Sequence, residues 1–263
     1  MLEIKGVCKT FNAGTVNEKR ALNHLTLTLN DGDFVTVIGG NGAGKSTMLN
    51  AVAGVFPVDE GTITIDGVDV TRLPEHKRAS YIGRVFQDPM MGTAATMQIE
   101  ENLALAARRG QRRGLRWGIK RMEREDYREL LRTLDLGLED RMTTKVGLLS
   151  GGQRQALTLL MAALKRPKLL LLDEHTAALD PKTAAKVLAL SDQIVEENGL
   201  TTLMVTHNMR DAIAHGNRLI MMNGGRVVLD IAGEEKKRLT VEDLLNRFTA
   251  VGGEMPSDRT ILG

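Results

Sequence analysis

Short apolar runs, each cut off by glycine or by polar residues, set the plan of this 263-residue chain. Phe34-Val35-Thr36-Val37-Ile38, Tyr81-Ile82-Gly83-Arg84-Val85-Phe86 and Lys168-Leu169-Leu170-Leu171-Leu172 are three of them, and Leu203-Met204-Val205-Thr206 is a fourth. Near-continuous runs of leucine and β-branched residues at strand length predict strands buried on both faces, as in a parallel sheet. Residues 1–31 differ. Leu25-Thr26-Leu27-Thr28-Leu29 has period two, the mark of antiparallel strands with one solvated face. Ile63-Thr64-Ile65-Asp66-Gly67 adds a further strand and turn. From about 88 to 164 the chain becomes charged and helix-rich, which predicts a helical subdomain inserted between Gln87 and the run of leucines. Alternation of strand and helix resumes at 165 and continues to about 222. Asn223-Gly224-Gly225 then predicts a hairpin between 218–222 and 226–231. A short helix, Val241–Phe248, precedes a polar tail containing Gly252, Gly253 and Pro256. The expected class is α/β, a mostly parallel sheet flanked by helices, with an antiparallel β subdomain and an inserted α-helical subdomain. As one domain it divides into a core (1–87 and 165–235), the helical part (88–164) and a C-terminal helix and tail (236–263).

The ends of the apolar runs carry the chemistry. Gly39-Gly40-Asn41-Gly42-Ala43-Gly44-Lys45-Ser46-Thr47 follows the first run and opens a helix, Ser46–Ala53, and it matches G-x-x-x-x-G-K-[ST] without departure. Strand, glycine-rich loop and helix together predict a P-loop NTPase core. Glycines let backbone N–H groups curl around a β-phosphate without Cβ clashes, and the helix N-terminus adds roughly half a positive charge. Lys45 can reach the β- and γ-phosphates and Ser46 can hold Mg²⁺. The leucine run ends in Asp173-Glu174, at the strand end that faces the ligand crevice in such sheets. Asp173 is the expected Mg²⁺ partner, through water. Glu174 points elsewhere and is the expected general base that polarises the attacking water, since phosphoryl transfer needs positioning and charge neutralisation above all.

A second glycine-rich segment, Leu149-Ser150-Gly151-Gly152-Gln153, opens an apolar helix running to about Leu164, with Ser150 as its N-cap. Its hydroxyl and the free helix N–H groups make a second anion site. One chain already has a complete phosphate cradle, so the simplest use is to close over the γ-phosphate of a nucleotide held by another subunit.

These two segments together resemble the ATP-binding cassette of ABC transporters, and the likeness extends over nearly the whole chain. The resemblance implies that two cassettes, identical or alike, meet head to tail and sandwich two ATP molecules. It places Gln87 against Mg²⁺ and the attacking water, and the loop after Gln87 against a membrane subunit. It makes His207 the sensor of the γ-phosphate, Ala178-Leu179-Asp180 a loop crossing the dimer interface, and Phe11 the aromatic residue stacked on adenine. It implies separate transmembrane permease subunits, a place at the cytoplasmic face of the membrane, and, for an importer, an extracytoplasmic substrate-binding protein. The compact single cassette resembles bacterial import systems, particularly those for amino acids, aromatic ones among them. Asn17-Glu18-Lys19-Arg20-Ala21-Leu22 is also similar to lipoprotein-releasing and efflux cassettes, so both directions stay open here. Two positions depart from the family pattern: His175 stands where proline is common, and is expected to pack, and Ala177 replaces a frequent serine.

Bulk properties narrow the alternatives. Hydrophobic content of 42% and a net charge of +2 indicate neither disorder nor a broad nucleic-acid surface. Cys8 is the only cysteine, so no intrachain disulfide and no thiolate cluster is expected. The residues Met1–Lys5 are not expected to act as a signal peptide, and no apolar stretch approaches the ~20 residues of a spanning helix. Soluble cassette ATPases of translation or repair pair two cassettes or carry coiled-coil arms, which this sequence does not show. A small-molecule kinase would leave Ser150–Gln153 without a role. Between Arg108 and Arg124 lie eight basic residues against Glu123 alone, with Trp117 among them. The run reads as a solvated helix face or as a contact for anionic lipid. Met90, Met91 and Met97 suit either an adaptable docking surface or core filling.

Overall fold

The computed structural model describes residues 1–111 and 118–250. Strands β1 (Leu2–Phe11), β2 (Lys19–Leu29), β4 (Glu60–Ile65) and β5 (Val68–Asp69) form an antiparallel sheet in the order β2-β1-β4-β5. The second sheet has six strands: β3 (Phe34–Ile38), β6 (Ile82–Val85), β7 (Leu169–Asp173), β8 (Thr202–Val205), β9 (Arg218–Asn223) and β10 (Arg226–Ala232), ordered β10-β9-β3-β8-β7-β6. Its pairings are parallel except for the β9–β10 hairpin. The sheet that is antiparallel throughout holds the alternating run Leu25–Leu29, and the parallel pairs include the near-continuous apolar runs Phe34–Ile38 and Leu169–Leu172.

Burial explains the apolar runs. Leu169, Leu170, Leu171 and Leu172 are all fully buried. Alternate residues serve opposite layers: Leu169 and Leu171 join the core beneath the antiparallel sheet, and Leu170 and Leu172 join the core beneath the helices. Helix α1 (Lys45–Ala53) fills the first layer with Met48, Leu49 and Val52. Helices α5 (Gly151–Ala163) and α6 (Pro181–Asn198) cover the second with Leu159, Ala163, Leu188 and Val195. Two further helices, α7 (Met209–Ala214) and α9 (Val241–Ala250), close the sheet beside β9 and β10 through Met209, Leu244 and Phe248.

The expected helical insert has its own core. Helices α3 (Ile99–Ala107) and α4 (Arg121–Arg132) bury Leu103, Tyr127 and Leu131 against Leu157 and Leu160 of α5. Helix α5 therefore packs on both sides, with one stripe in the insert and the other on the sheet. Between α1 and β6 lies a four-residue helix, α2 (Glu75–Arg78). Its Arg78 is 2% exposed and donates to the carbonyls of Ala51 and Val52 at 2.7 and 2.8 Å. The buried cation caps the negative end of α1 and satisfies carbonyls that water cannot reach. A short helix, α8 (Gly233–Lys237), follows the hairpin.

Of the basic run, Arg108 pairs with Glu123 at 2.9 Å and Arg124 with Glu100 at 2.6 Å, while Arg109 donates to the Ala162 carbonyl. All three have partners within the fold, although the Arg124 side chain stays exposed. Arg112, Arg113, Arg116 and Trp117 lie outside the described residues, as do Gly252, Gly253 and Pro256.

Candidate nucleotide site

Strand β3 is fully enclosed, so its last residue delivers the chain directly into the glycine loop. Gly39 has φ +153°, and a Cβ there would sit 2.3 Å from the Met222 carbonyl oxygen on β9. Gly44 has φ +102°, and its Cβ would meet the Ala21 oxygen at 2.6 Å. Both glycines answer a close backbone approach, and the loop is pressed between β9 and β2. The hairpin turn tightens it further, because the Gly225 N–H donates to the Ala43 carbonyl at 3.0 Å. Gly44 starts α1 without any side-chain cap. The open N–H groups of that helix face a cavity of about 190 Å³ lined by Asn41, Gly42, Lys45, Ser46, Thr47 and Glu174, with Lys19 and Ala21 at its rim.

Lys45 Nζ donates to the carbonyls of Gly39 and Gly40 at 2.7 and 3.1 Å. Burial pushes its ammonium below the usual lysine range, against the pull of the nearby Glu174 and Asp173 carboxylates. Asp173 ends β7. Burial raises its carboxyl, while Arg84, with Nη2 at 3.3 Å, opposes the rise. Glu174 has φ +42°, in the left-handed region that a glutamate occupies only under constraint. Its own N–H is fixed to the Val205 carbonyl at 3.0 Å. The turned backbone sends the Glu174 carboxylate toward His207, whose Nδ1–H donates to Oε2 at 3.3 Å. That hydrogen bond holds Glu174 below the usual carboxylate range and lifts His207 above the usual imidazole range. The structure thus brings together the phosphate loop, Asp173, Glu174 and His207.

A second group gathers elsewhere. Ser150 caps α5: its Oγ accepts from the Gln153 N–H, and its own N–H donates to Gln153 Oε1, both at 3.2 Å. Asp180 caps α6 by accepting from the Thr183 N–H at 3.1 Å. The two caps are neighbours. A Cβ on Gly151 would lie 3.3 Å from Leu179 and one on Gly152 2.1 Å from the Thr183 methyl, so glycine at 152 lets the starts of α5 and α6 touch. Gln87 is exposed beyond the end of β6, and the Phe86 carbonyl before it accepts from Gln155 Nε2 at 3.1 Å. Phe11 packs edge-on against Phe56, ring centres 5.2 Å apart, with Lys9 Nζ 5.6 Å from each ring. Met90 and Met91 are exposed beside Gln87. His175 packs as expected. It is buried and its Nε2–H donates to Ser191 Oγ at 2.9 Å, while the hydroxyl donates to the Val187 carbonyl. Burial lowers its pKa to about 4, so it is neutral.

Three residues of this neighbourhood escaped the sequence reading. Arg84 bridges Asp173 and Asn50, with 2.7 Å to Asn50 Oδ1. Ser191 holds His175, and Arg78 caps the phosphate-loop helix. An arginine on an otherwise apolar strand was the one signal available for Arg84.

The ABC transporter family model matches residues 22–177, more than half of the chain. The Tyrosine transport ATP-binding protein of Clostridioides difficile (strain R20291) is 46% identical over 248 residues, covering 94% of this chain and 98% of its own. The Spermidine/putrescine import ATP-binding protein PotA of Haemophilus influenzae (strain ATCC 51907 / DSM 11121 / KW20 / Rd) is 32% identical over 95% of this chain, which spans 62% of that longer relative. Among solved structures, an ATP-binding cassette in its ADP conformation superposes with TM-score 0.77 at 26% identity, covering 97% of this chain and 99% of that one. A dimeric cassette bound to ADP and phosphate gives 0.75 at 32% identity, covering 88% of this chain and 98% of that one. The chain belongs to the ABC transporter family. It is an ATP-binding subunit with an ABC ATPase domain, of the kind found in import systems, which favours import over the release or efflux that Asn17–Leu22 left open. No helix among the described residues is long and apolar enough to cross a membrane.

Proposed function

We propose that this chain powers import of an aromatic amino acid of the tyrosine type, as a pair of cassettes bound to separate permease subunits on the cytoplasmic face of the membrane. The likeness to the tyrosine transport relative over almost the full length of both chains carries the cargo reading. An extracytoplasmic binding protein would deliver the amino acid.

At the site, Lys45 and the open N–H groups of α1 take the β- and γ-phosphates, with Asn41 and Thr47 along the loop and Phe11 under adenine. The oxygen donors Ser46, Asp173 and Gln87 form a hard set that fits Mg²⁺, which when bound would neutralise phosphate charge. Glu174, kept ionised by His207, accepts the proton of the attacking water. His207 reports the γ-phosphate. Ser150, Gly151, Gly152 and Gln153 of one copy, with Asp180 beside them, close over the nucleotide of the other. The groove of about 410 Å³ lined by Arg84, Gly92, Leu105, Thr158 and Met161 receives the permease near Gln87 and the exposed methionines.

The test is co-purification from native membrane, identification of the partners, and uptake by the reconstituted complex. ATP-driven uptake of tyrosine in preference to spermidine and methionine supports the reading. Preference for either of the others, or recovery without a membrane partner, contradicts it.

A further inference from the structure

We propose that Cys8, His24 and Glu60 form a binding site for a borderline-soft divalent cation of the zinc class, on the antiparallel sheet and apart from the nucleotide cradle. Their ligand atoms all lie within 4.8 Å of one another. Cys8 Sγ is 3.4 Å from His24 Nδ1. Tetrahedral zinc, with bonds of about 2.3 Å to sulfur and 2.0 Å to nitrogen, sets those two atoms about 3.5 Å apart. The pair is therefore at ligating distance without rearrangement.

Three strands converge on this point because the sheet is irregular here. Between the pairs Val7↔Leu25 and Lys9↔Leu22, Cys8 alone faces Asn23 and His24, so β2 carries an extra residue. Between Lys5↔Thr62 and Cys8↔Glu60, β1 carries the extra residue against Gly61. Bulges re-aim side chains, and this pair turns an imidazole and a carboxylate toward one sulfur. His24 takes φ +48° to do so. A regular ladder would need none of this. The sulfur is prepared as an acceptor: the His24 N–H donates to it at 3.3 Å and Arg20 Nη2 at 3.4 Å. Thiolate, imidazole and carboxylate together suit zinc better than magnesium or calcium, which take oxygen ligands. Cys8 is buried while His24 and Glu60 are exposed, so an ion enters from the solvent side, where water is the fourth ligand. Binding replaces the Sγ–H bond with an Sγ–metal bond, releases one proton to solvent, and ties β1, β2 and β4 together.

The test uses the full chain, stripped of metal and titrated with Co²⁺ and then Zn²⁺. One equivalent of Co²⁺ should give a near-ultraviolet thiolate-to-cobalt charge-transfer band that Zn²⁺ removes, and Zn²⁺ should raise Tm. Cys8→Ser should abolish the band. His24→Asn, which tolerates the left-handed backbone, and Glu60→Gln should each weaken Zn²⁺ binding by at least about tenfold. ATP binding should be unchanged in all three, which also reports folding. No band, no rise in Tm, or Zn²⁺ affinity equal in wild type and His24→Asn would overturn the proposal.

Discussion

Helix α1 begins at Gly44 with no side chain over its N-terminus, whereas α5 begins at Ser150 with a reciprocal cap from its own Ser150 and Gln153. Both starts are glycine-rich, and the sequence presents both as anion sites. The structure separates them. The first is open, faces a cavity and has Lys45 beside it, all supplied by one chain. The second has already spent its serine hydroxyl on its own helix and lies against Leu179 and Thr183. In the function proposed above, it gains its use from a nucleotide presented by another copy. On that proposal one helix end binds and the other completes.

The difference can be broken from either side. The largest effect is expected at the open site's chemistry. Glu174→Gln keeps the hydrogen-bonding shape and removes the base, so turnover should fall by roughly 10²–10⁴-fold with ATP affinity preserved. Undiminished ATPase activity would remove Glu174 from that role. Lys45→Ala deletes a charged donor, which costs on the order of 1.5–3 kcal/mol. Calorimetry should show ATP binding weakened by about 10–100-fold, and unchanged binding would contradict the cradle. At the completing site, Ser150→Arg should leave ATP binding by the monomer intact and prevent nucleotide-driven pairing on a sizing column. Ser150→Ala should cost only about 1 kcal/mol of folding stability through the lost cap.

The smallest effect is a pH dependence of the Glu174–His207 pair. His207 is raised in the folded state, so its contribution is complete below the ordinary imidazole value and fades as pH climbs through the raised one. Glu174 is lowered, so its contribution is complete above the ordinary carboxylate value and fades as pH drops through the lowered one. The stability gap between wild type and His207→Ala should therefore be greatest near about pH 6 and shrink toward about pH 9. A gap that widens over that range would show the pair to be misassigned.

Local features were readable from sequence and encounters between distant segments were not. Phe34–Ile38 is the strand its apolar run predicts, and the β9–β10 hairpin turns where Asn223-Gly224-Gly225 predicts it. The phosphate-loop helix starts at Lys45, one residue earlier than its pattern suggests. The phosphate loop and the carboxylate strand were visible because spacing within each segment fixes their geometry. Arg78 was invisible because the carbonyls it caps lie 26 and 27 residues away. The role of His175 depends on Ser191, sixteen residues on and across a layer. The left-handed turn at Glu174 arises from its anchorage to β8, which no local pattern encodes. The Ser150 cap was predicted, but its contact with the Asp180 loop, made close by Gly152, became visible only in the packed molecule.

The pairing of an open helix end with a capped one is tested most directly by the solution mass of Glu174→Gln under light scattering, with and without Mg-ATP. A mass that doubles on adding nucleotide, and stays single when Ser150→Arg is combined with it, is the predicted result. A particle that remains a monomer at saturating ATP, or a doubled mass that persists with Ser150→Arg, would contradict the account.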